Sequence, residues 1–376
     1  MSNYIRTTHV GSLPRGDKLS AYLLALDKGE KVDEAQFEAT LDEAIGEAVR
    51  HQIEAGVDVI SDGELSKVGY ATYIIDRLEG FGGHTDRKPA LDLAPLPDLR
   101  RKLGAVMGTQ EFRRASCIGP VKLRTLEPCL EDVARFRRQV DAAGGRTAFL
   151  NAASPGLITA FQPNQYYPTH EAYLEALAEA MQPEYEAIIA GGFELQLDCP
   201  DLAMAHHTGF QDLSEEDFLR RAEQNVEALN HATRNIAPEK MRMHICWGNY
   251  EGPHDHDIAL EKVIDIVLKA RPSQILFEAA NPRHEHEWKV WSEAKLPADK
   301  VLIPGCIDTC SNYLEHPELI AQRIERYAAI VGPDRVIAGT DCGFGTFAGY
   351  GKIDPIVTWR KLEALRQGAD IAAARI

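Results

Sequence analysis

The chain has 376 residues, 44% of them hydrophobic and 26% charged, an ordinary globular composition that excludes a disordered chain or a coiled coil. Lys plus Arg number 41 against 57 Asp plus Glu, a net charge of -16. Such a surface repels phosphate backbones, so no nucleic acid is expected as a partner.

No apolar run reaches the ~18 residues of a membrane span, so no membrane partner is expected either. The opening MSNYIRTTHVGSLPR has no apolar signal core. Seven cysteines, an odd count thinly spread, do not make a disulfide framework and point to a reducing, cytoplasmic setting. A homo-oligomer is left open.

In chain order, a short segment His9–Pro14 comes first, followed by β-branched apolar runs at Val57–Ile60, Cys117–Val121, Ala148–Ala152, Phe193–Leu197, Met243–Trp247, Gln274–Phe277, Val301–Pro304 and Val336–Gly339. Helical patterns lie between them. One apolar stripe runs through Phe37, Leu41, Ile45, Val49 and Ile53, another through Tyr173, Leu177, Met181 and Tyr185. Ser214 with Asp217 resembles a capping box, and Pro317 opens a further helix. Alternating strands and helices predict a parallel sheet with helices outside. Eight main repeats suit a (β/α)8 TIM barrel, with His9–Pro14 as a loop or short strand at its mouth. An open doubly wound sheet is the alternative, but no GxGxxG follows an early strand. Residues 80–113, rich in Gly and Pro, break the rhythm and read as an excursion from a single domain over 1–376.

Active sites of such barrels form at the carboxyl ends of the strands. The residues there are Gly11-Ser12, Asp62-Gly63-Glu64, Gly119-Pro120, Ser154-Pro155, Asp198-Cys199-Pro200, His244-Ile245-Cys246, Glu278, Asp308 and Asp341-Cys342-Gly343. Acids, thiols and an imidazole gather on one rim. In a strand, His244 and Cys246 point the same way. With Glu278 and Cys342 they make a His/Cys/Glu/Cys set from three strand ends, a donor set that zinc prefers. A core histidine with two inert thiols is the plainer reading of H-x-C alone. The TDCGFGTF segment around Cys342 favours a metal.

Six motifs carry a family resemblance over nearly the full length: TTHVGSLPR (7–15), VDVISDGE (57–64), LQLDCPDL (195–202), MHICWG (243–248), ILFEAANP (275–282) and TDCGFGT (340–346). Together they resemble the carboxy-terminal catalytic domain of the cobalamin-independent methionine synthases and the related zinc-dependent thiol alkyltransferases. The resemblance implies a (β/α)8 barrel with Zn2+ held by His244, Cys246, Glu278 and Cys342, Glu278 being the ligand displaced or weakened when a thiol arrives. It implies that Gly11, Ser12, Glu64 and Asp198 hold homocysteine, two carboxylates facing an ammonium and Ser12 with backbone N–H groups facing a carboxylate. The implied activity is methyl transfer from an alkyl donor to the thiol. Asp308 is a further rim candidate for substrate contact, and Phe161 falls where the family stacks a Trp on folate.

Two positions depart from the family pattern. Cys199 stands where a Glu is usual, and Cys310 replaces the His of D-x-H-S, a poor exchange for a general acid. The donor end is therefore open to a small methyl compound, a methylated corrinoid or an epoxide. Epoxyalkane:coenzyme M transferases use the same zinc–thiol logic, and Arg6, Arg15, Lys67 or Arg283 could face the sulfonate of coenzyme M. A non-catalytic zinc-binding barrel is the remaining alternative, one that would have no use for Glu64 and Asp198. The pairs His254/His256 and His284/His286 read as loop residues that orient ligands rather than as a second metal site, and His206-His207 as surface or substrate-channel residues.

Overall fold

The computed structural model describes residues 4–106 and 114–376. Among them ten strands form: β1 (Arg6–Thr7), β2 (Val59–Ser61), β3 (Leu78–Gly82), β4 (Ser116–Leu123), β5 (Thr147–Ala153), β6 (Glu194–Asp198), β7 (Met241–Ile245), β8 (Gln274–Phe277), β9 (Val301–Ile307) and β10 (Ile337–Thr340). All but β3 and β4 join one sheet in the order β1-β10-β9-β8-β7-β6-β5-β2. Every pairing in it is parallel, and a parallel bridge between Thr8 and Val59 brings the two edges together. The result is the expected (β/α)8 barrel.

Helices wrap this barrel because their apolar stripes have nowhere else to go. Asp33 caps helix Glu34–Glu54 by accepting the N–H of Gln36, and Leu41, Ile45 and Val49 are buried on its inner face. Each such side chain contributes about 1.5–3 kcal/mol by leaving water. Tyr173, Leu177, Met181 and Tyr185 are all buried on helix His170–Ala190. Ser214 caps helix Glu215–Ala232 through the N–H of Asp217, and Pro317 begins helix Pro317–Val331. No helix among the described residues is long and apolar enough to cross a membrane.

One predicted strand takes a different place. The run at Cys117–Val121 lies in β4, which pairs antiparallel with β3 in a separate ribbon. Its barrel position falls instead to Arg6–Thr7, and His9–Pro14 is the loop that follows. β4 exposes one face and contains Pro120, which suits an edge rather than a barrel stave. The chain between β3 and β4 includes helix Pro97–Val106, while 107–113 lie outside the described residues. The ribbon's own extension docks at the barrel mouth, where Leu91 N–H donates to the carbonyl of His207.

The barrel interior is polar below the mouth. Period-two alternation aims Gln196 and Asp198 of β6, and Arg242 and His244 of β7, to the same side. Arg242 donates to Thr8 Oγ1 at 3.0 Å and to the His9 carbonyl at 2.8 Å, with its guanidinium 3.8 Å above the Phe149 ring. The buried Arg242 charge is thus met by two acceptors and a ring face, as burial requires.

Candidate metal and thiol site

Three side chains converge at the barrel mouth. The ligand atoms of His244, at the end of β7, Cys246 just beyond it and Cys342 two residues after β10 all lie within 4.8 Å of one another. His244 Nε2 stands 3.9 Å from Cys342 Sγ, while its Nδ1 is 3.7 Å from Asp198 Oδ1. All three are buried. Burial opposes charge on His244, but Asp198, Cys246 and Glu278 outweigh it and push the imidazole up to about 9. A hydrogen bond from Cys342 draws the Cys246 thiol down, against burial, and the same bond drives Cys342 up. The cluster is thus a cradle for positive charge. One imidazole nitrogen and two sulfurs, buried beside a cavity, fit three protein ligands of a zinc ion with a position left open.

Glu278 follows β8 and lies beside this cluster without joining its convergent atoms. Its Oε1 accepts the N–H of Trp247 at 2.7 Å, and its Oε2 accepts from Asn281 Nδ2 at 2.7 Å and Arg283 Nη2 at 2.6 Å. Asp341 fixes this turn from across the barrel. Its Oδ1 accepts the N–H groups of Ala279 and Ala280, both at 2.8 Å, and its Oδ2 accepts Asn281 N–H at 2.9 Å and Asn281 Nδ2 at 2.8 Å. Position 305 of β9 lies directly beneath, where a Cβ would overlap Asp341 Oδ1.

One cavity is lined by Ser12, Glu64, Asp198, His244, Cys246 and Cys342, together with Tyr70, Met204, Asn249 and Thr346. Asp198 is held by Asn151 Nδ2 at 3.1 Å and Gln196 Nε2 at 3.0 Å. Glu64 is buried with φ 55, following Gly63 at φ 72, so the turn after β2 spends two left-handed residues to aim this side chain. Its Oε2 has no hydrogen-bond partner. Burial, with Asp198 beside it, pushes the Glu64 carboxyl up to about 8. Gly11 has φ 142, and a Cβ there would run into the Asn151 amide.

The remaining candidates are placed differently. Phe161 meets Tyr70 edge-on and has the Arg87 guanidinium 4.2 Å over its ring, so Tyr70 is the aromatic that lines the cavity. Asp308 shapes its own turn, accepting the N–H of Cys310 at 2.8 Å and the hydroxyl of Ser311 at 2.7 Å. Cys310 is half-buried, with burial pushing its thiol up to about 12, and it donates to Asn249 Oδ1 at 3.2 Å. Cys199 is buried, its N–H on the carbonyl of His244 at 2.8 Å. Arg15 donates to the carbonyls of Glu64 and Gly345, Lys67 to the carbonyl of Asn151, and Arg283 pairs with Glu278.

The histidine pairs also separate. His256 and His286 are exposed. His254 and His284 are buried and meet at Asp257, and His207, fully buried rather than on the surface, joins them. Two residues mattered more than their sequence signals suggested. Asp341 stands in the TDCG segment as a mere rim acid, and Asp257 sits unannounced in GPHDHD.

Comparison with known proteins agrees with the motifs. Residues 5–88 match the family model described as the catalytic domain of the cobalamin-independent synthases. The methionine synthase of Saccharolobus solfataricus is 25% identical over 343 residues, covering 90% of this chain and 87% of that protein. That of Sulfolobus acidocaldarius is 24% identical over 340 residues, covering 90% and 85%. The structure of a B12-independent methionine synthase from Shewanella sp. W3-18-1, in complex with selenomethionine, superposes with a TM-score of 0.74 at 21% identity, covering 98% of this chain and 97% of the other. The resemblance read from the motifs is borne out.

Proposed function

We propose that this relative of the cobalamin-independent methionine synthases is a zinc-dependent methyltransferase that places a methyl group on the sulfur of homocysteine. The observation that carries this reading is the convergence of His244, Cys246 and Cys342 beside the Glu64–Asp198 carboxylate pair in one buried cavity. When bound there, zinc would ionise the substrate thiol and keep its sulfur nucleophilic at neutral pH.

The chain's own residues do the rest. Asp198, itself gripped by Asn151 and Gln196, sets the His244 ring so that Nε2 faces the sulfurs. The unpartnered oxygen of Glu64 and the facing Asp198 form a receptor for the substrate ammonium, whose charge replaces the proton that Glu64 otherwise retains. Ser12, on the same cavity wall, is placed to donate to the carboxylate. Glu278 would be the fourth ligand in the substrate-free state, at the expense of one of its bonds from Trp247, Asn281 or Arg283. Burial of the whole group keeps water away from the reacting sulfur.

The same features favour homocysteine over coenzyme M. A sulfonate would meet two carboxylates, and Arg15, Lys67 and Arg283 are each engaged by protein acceptors. Cys310, a neutral thiol, offers no imidazole to protonate a folate leaving group, which points to a small activated methyl compound or a methylated corrinoid as donor.

An activity matrix tests the reading: homocysteine and coenzyme M, each against methylfolate, methylcobalamin, S-methylmethionine and epoxypropane. Turnover is expected with homocysteine and a methyl donor, and should fall in Glu64→Gln and Asp198→Asn. Turnover of coenzyme M with the epoxide alone, both variants staying active, would establish the epoxide-opening alternative instead. Zinc binding without any turnover would leave a non-catalytic barrel.

A further inference from the structure

A second group of metal-ligand atoms lies outside the cavity, between the loop after β6 and the loop after β7. One ligand atom from each of His207, His254 and Asp257 lies within 4.8 Å of the other two. Asp257 Oδ1 is 3.3 Å from His207 Nδ1 and 3.1 Å from His254 Nδ1. Both imidazole side chains are fully buried, and the Asp257 side chain is 8% exposed.

The outward hydrogen bonds place a proton on each outer ring nitrogen. His254 Nε2 sits 3.0 Å from the carbonyl of Tyr250, a group that only accepts, so Nε2 bears the hydrogen. His207 Nε2 sits 3.1 Å from the Tyr250 hydroxyl. That hydroxyl commits its single proton to Asp92, 2.9 Å from either carboxylate oxygen, so His207 Nε2 is the donor to it. In neutral imidazoles both Nδ1 lone pairs then face Asp257 Oδ1. Three lone pairs aimed at one point repel one another unless positive charge lies between them, either a proton on His254 Nδ1, 3.1 Å from both Asp257 oxygens, or a metal ion. His207 Nδ1 has no hydrogen-bond partner despite its burial.

The spacing suits a metal ion. Ligands about 2.0–2.1 Å from a tetrahedral zinc stand roughly 3.3 Å apart. Each ligand is also held from behind, as metal ligands are: the two imidazoles by Tyr250, and Asp257 Oδ2 by His284 Nε2 at 3.0 Å. The excursion closes the site, with Asp92 Oδ2 accepting the His254 N–H at 3.0 Å.

We propose that His207, His254 and Asp257 bind a second divalent ion of the zinc class, with solvent at a fourth position, independently of the Cys246/Cys342 site. The ion clamps the loops after β6 and β7 together. Arg283, with Nη1 3.6 Å from Asp257 Oδ2 and Nη2 2.6 Å from Glu278 Oε2, ties the clamp to the catalytic rim.

Metal counting on the whole protein, equilibrated with Zn2+ and passed through a desalting column, tests the proposal. The wild type should hold two ions per chain, the Cys246→Ser/Cys342→Ser variant one, and that variant with His254→Gln none. With Co2+ the Cys246→Ser/Cys342→Ser variant should retain weak visible ligand-field bands without the sulfur-to-cobalt charge-transfer band. No ion in that variant when folded, or an ion there that His254→Gln does not remove, would overturn the assignment. If the His254 variant fails to fold, the count on the Cys246→Ser/Cys342→Ser protein decides alone.

Discussion

Replacing Glu64 with Gln should trade substrate binding for stability, and the structure sets both sizes. Glu64 is buried, one oxygen is unpartnered, and Asp198 lies beside it. A carboxyl moved from 4.5 to about 8 makes its ionised form roughly 5 kcal/mol costlier in the folded state. Below pH 4.5 the folded and unfolded chains both carry this proton. Between 4.5 and 8 the folded chain keeps it while the unfolded chain releases it, so stability falls as pH rises through that window and levels off above it. Gln has no proton to lose and removes this slope.

Part of the gain returns to Asp198 and to desolvation of the amide, leaving about 2 kcal/mol of net stabilisation near pH 8.5. For a chain of this length that is roughly 2–3 °C in Tm. On the functional side, loss of a charge-assisted bond to the substrate ammonium is worth about 1.5–3 kcal/mol, or roughly 10- to 150-fold in kcat/KM for homocysteine. Thermal melts from pH 5 to 9, run beside homocysteine saturation curves, read both. A variant whose melting profile keeps the wild-type slope, or whose kcat/KM is unchanged, would refute the argument.

Cys246→Ser and Cys342→Ser should each lose most of the rim-bound zinc, seen as one ion fewer per chain by elemental analysis. Gly305→Ala places a methyl against Asp341 Oδ1 and should cost about 1–3 kcal/mol by overpacking, with a matching fall in zinc affinity because the Glu278 turn is displaced. Denaturant titration and metal competition measure the two effects. Arg77 is buried between Glu184, 3.0 Å away, and Asp132, 2.6 Å away. Arg77→Met strands Glu184 in the interior and should cost about 3–5 kcal/mol in the same titration.

The barrel was legible because its staves are short apolar runs with abrupt polar ends. Gln274–Phe277 coincides with β8, and Ala148–Ala152 lies within β5. The run at Cys117–Val121 looked the same and went elsewhere, since an apolar run does not say whether its partner lies parallel or antiparallel. Arg6–Thr7 makes a two-residue stave, too short to show a period. Within the site, His244-x-Cys246 was readable because strand alternation is local. The bonds of Glu278 were not, as Trp247 and Arg283 meet it only through the fold. His207 was misplaced for a similar reason. Next to the half-buried His206 it looks like surface, and only the packing of the excursion over it makes it core.

The Asp341 carboxylate spans from the end of β10 to the turn after β8, passing over β9 at its glycine. The parts that hold Cys342 and Glu278 are thereby one mechanical piece, joined without help from the segment that follows β9. That segment, 308–316, has anchors of its own, Glu315 on the buried Lys361 and Cys310 on Asn249.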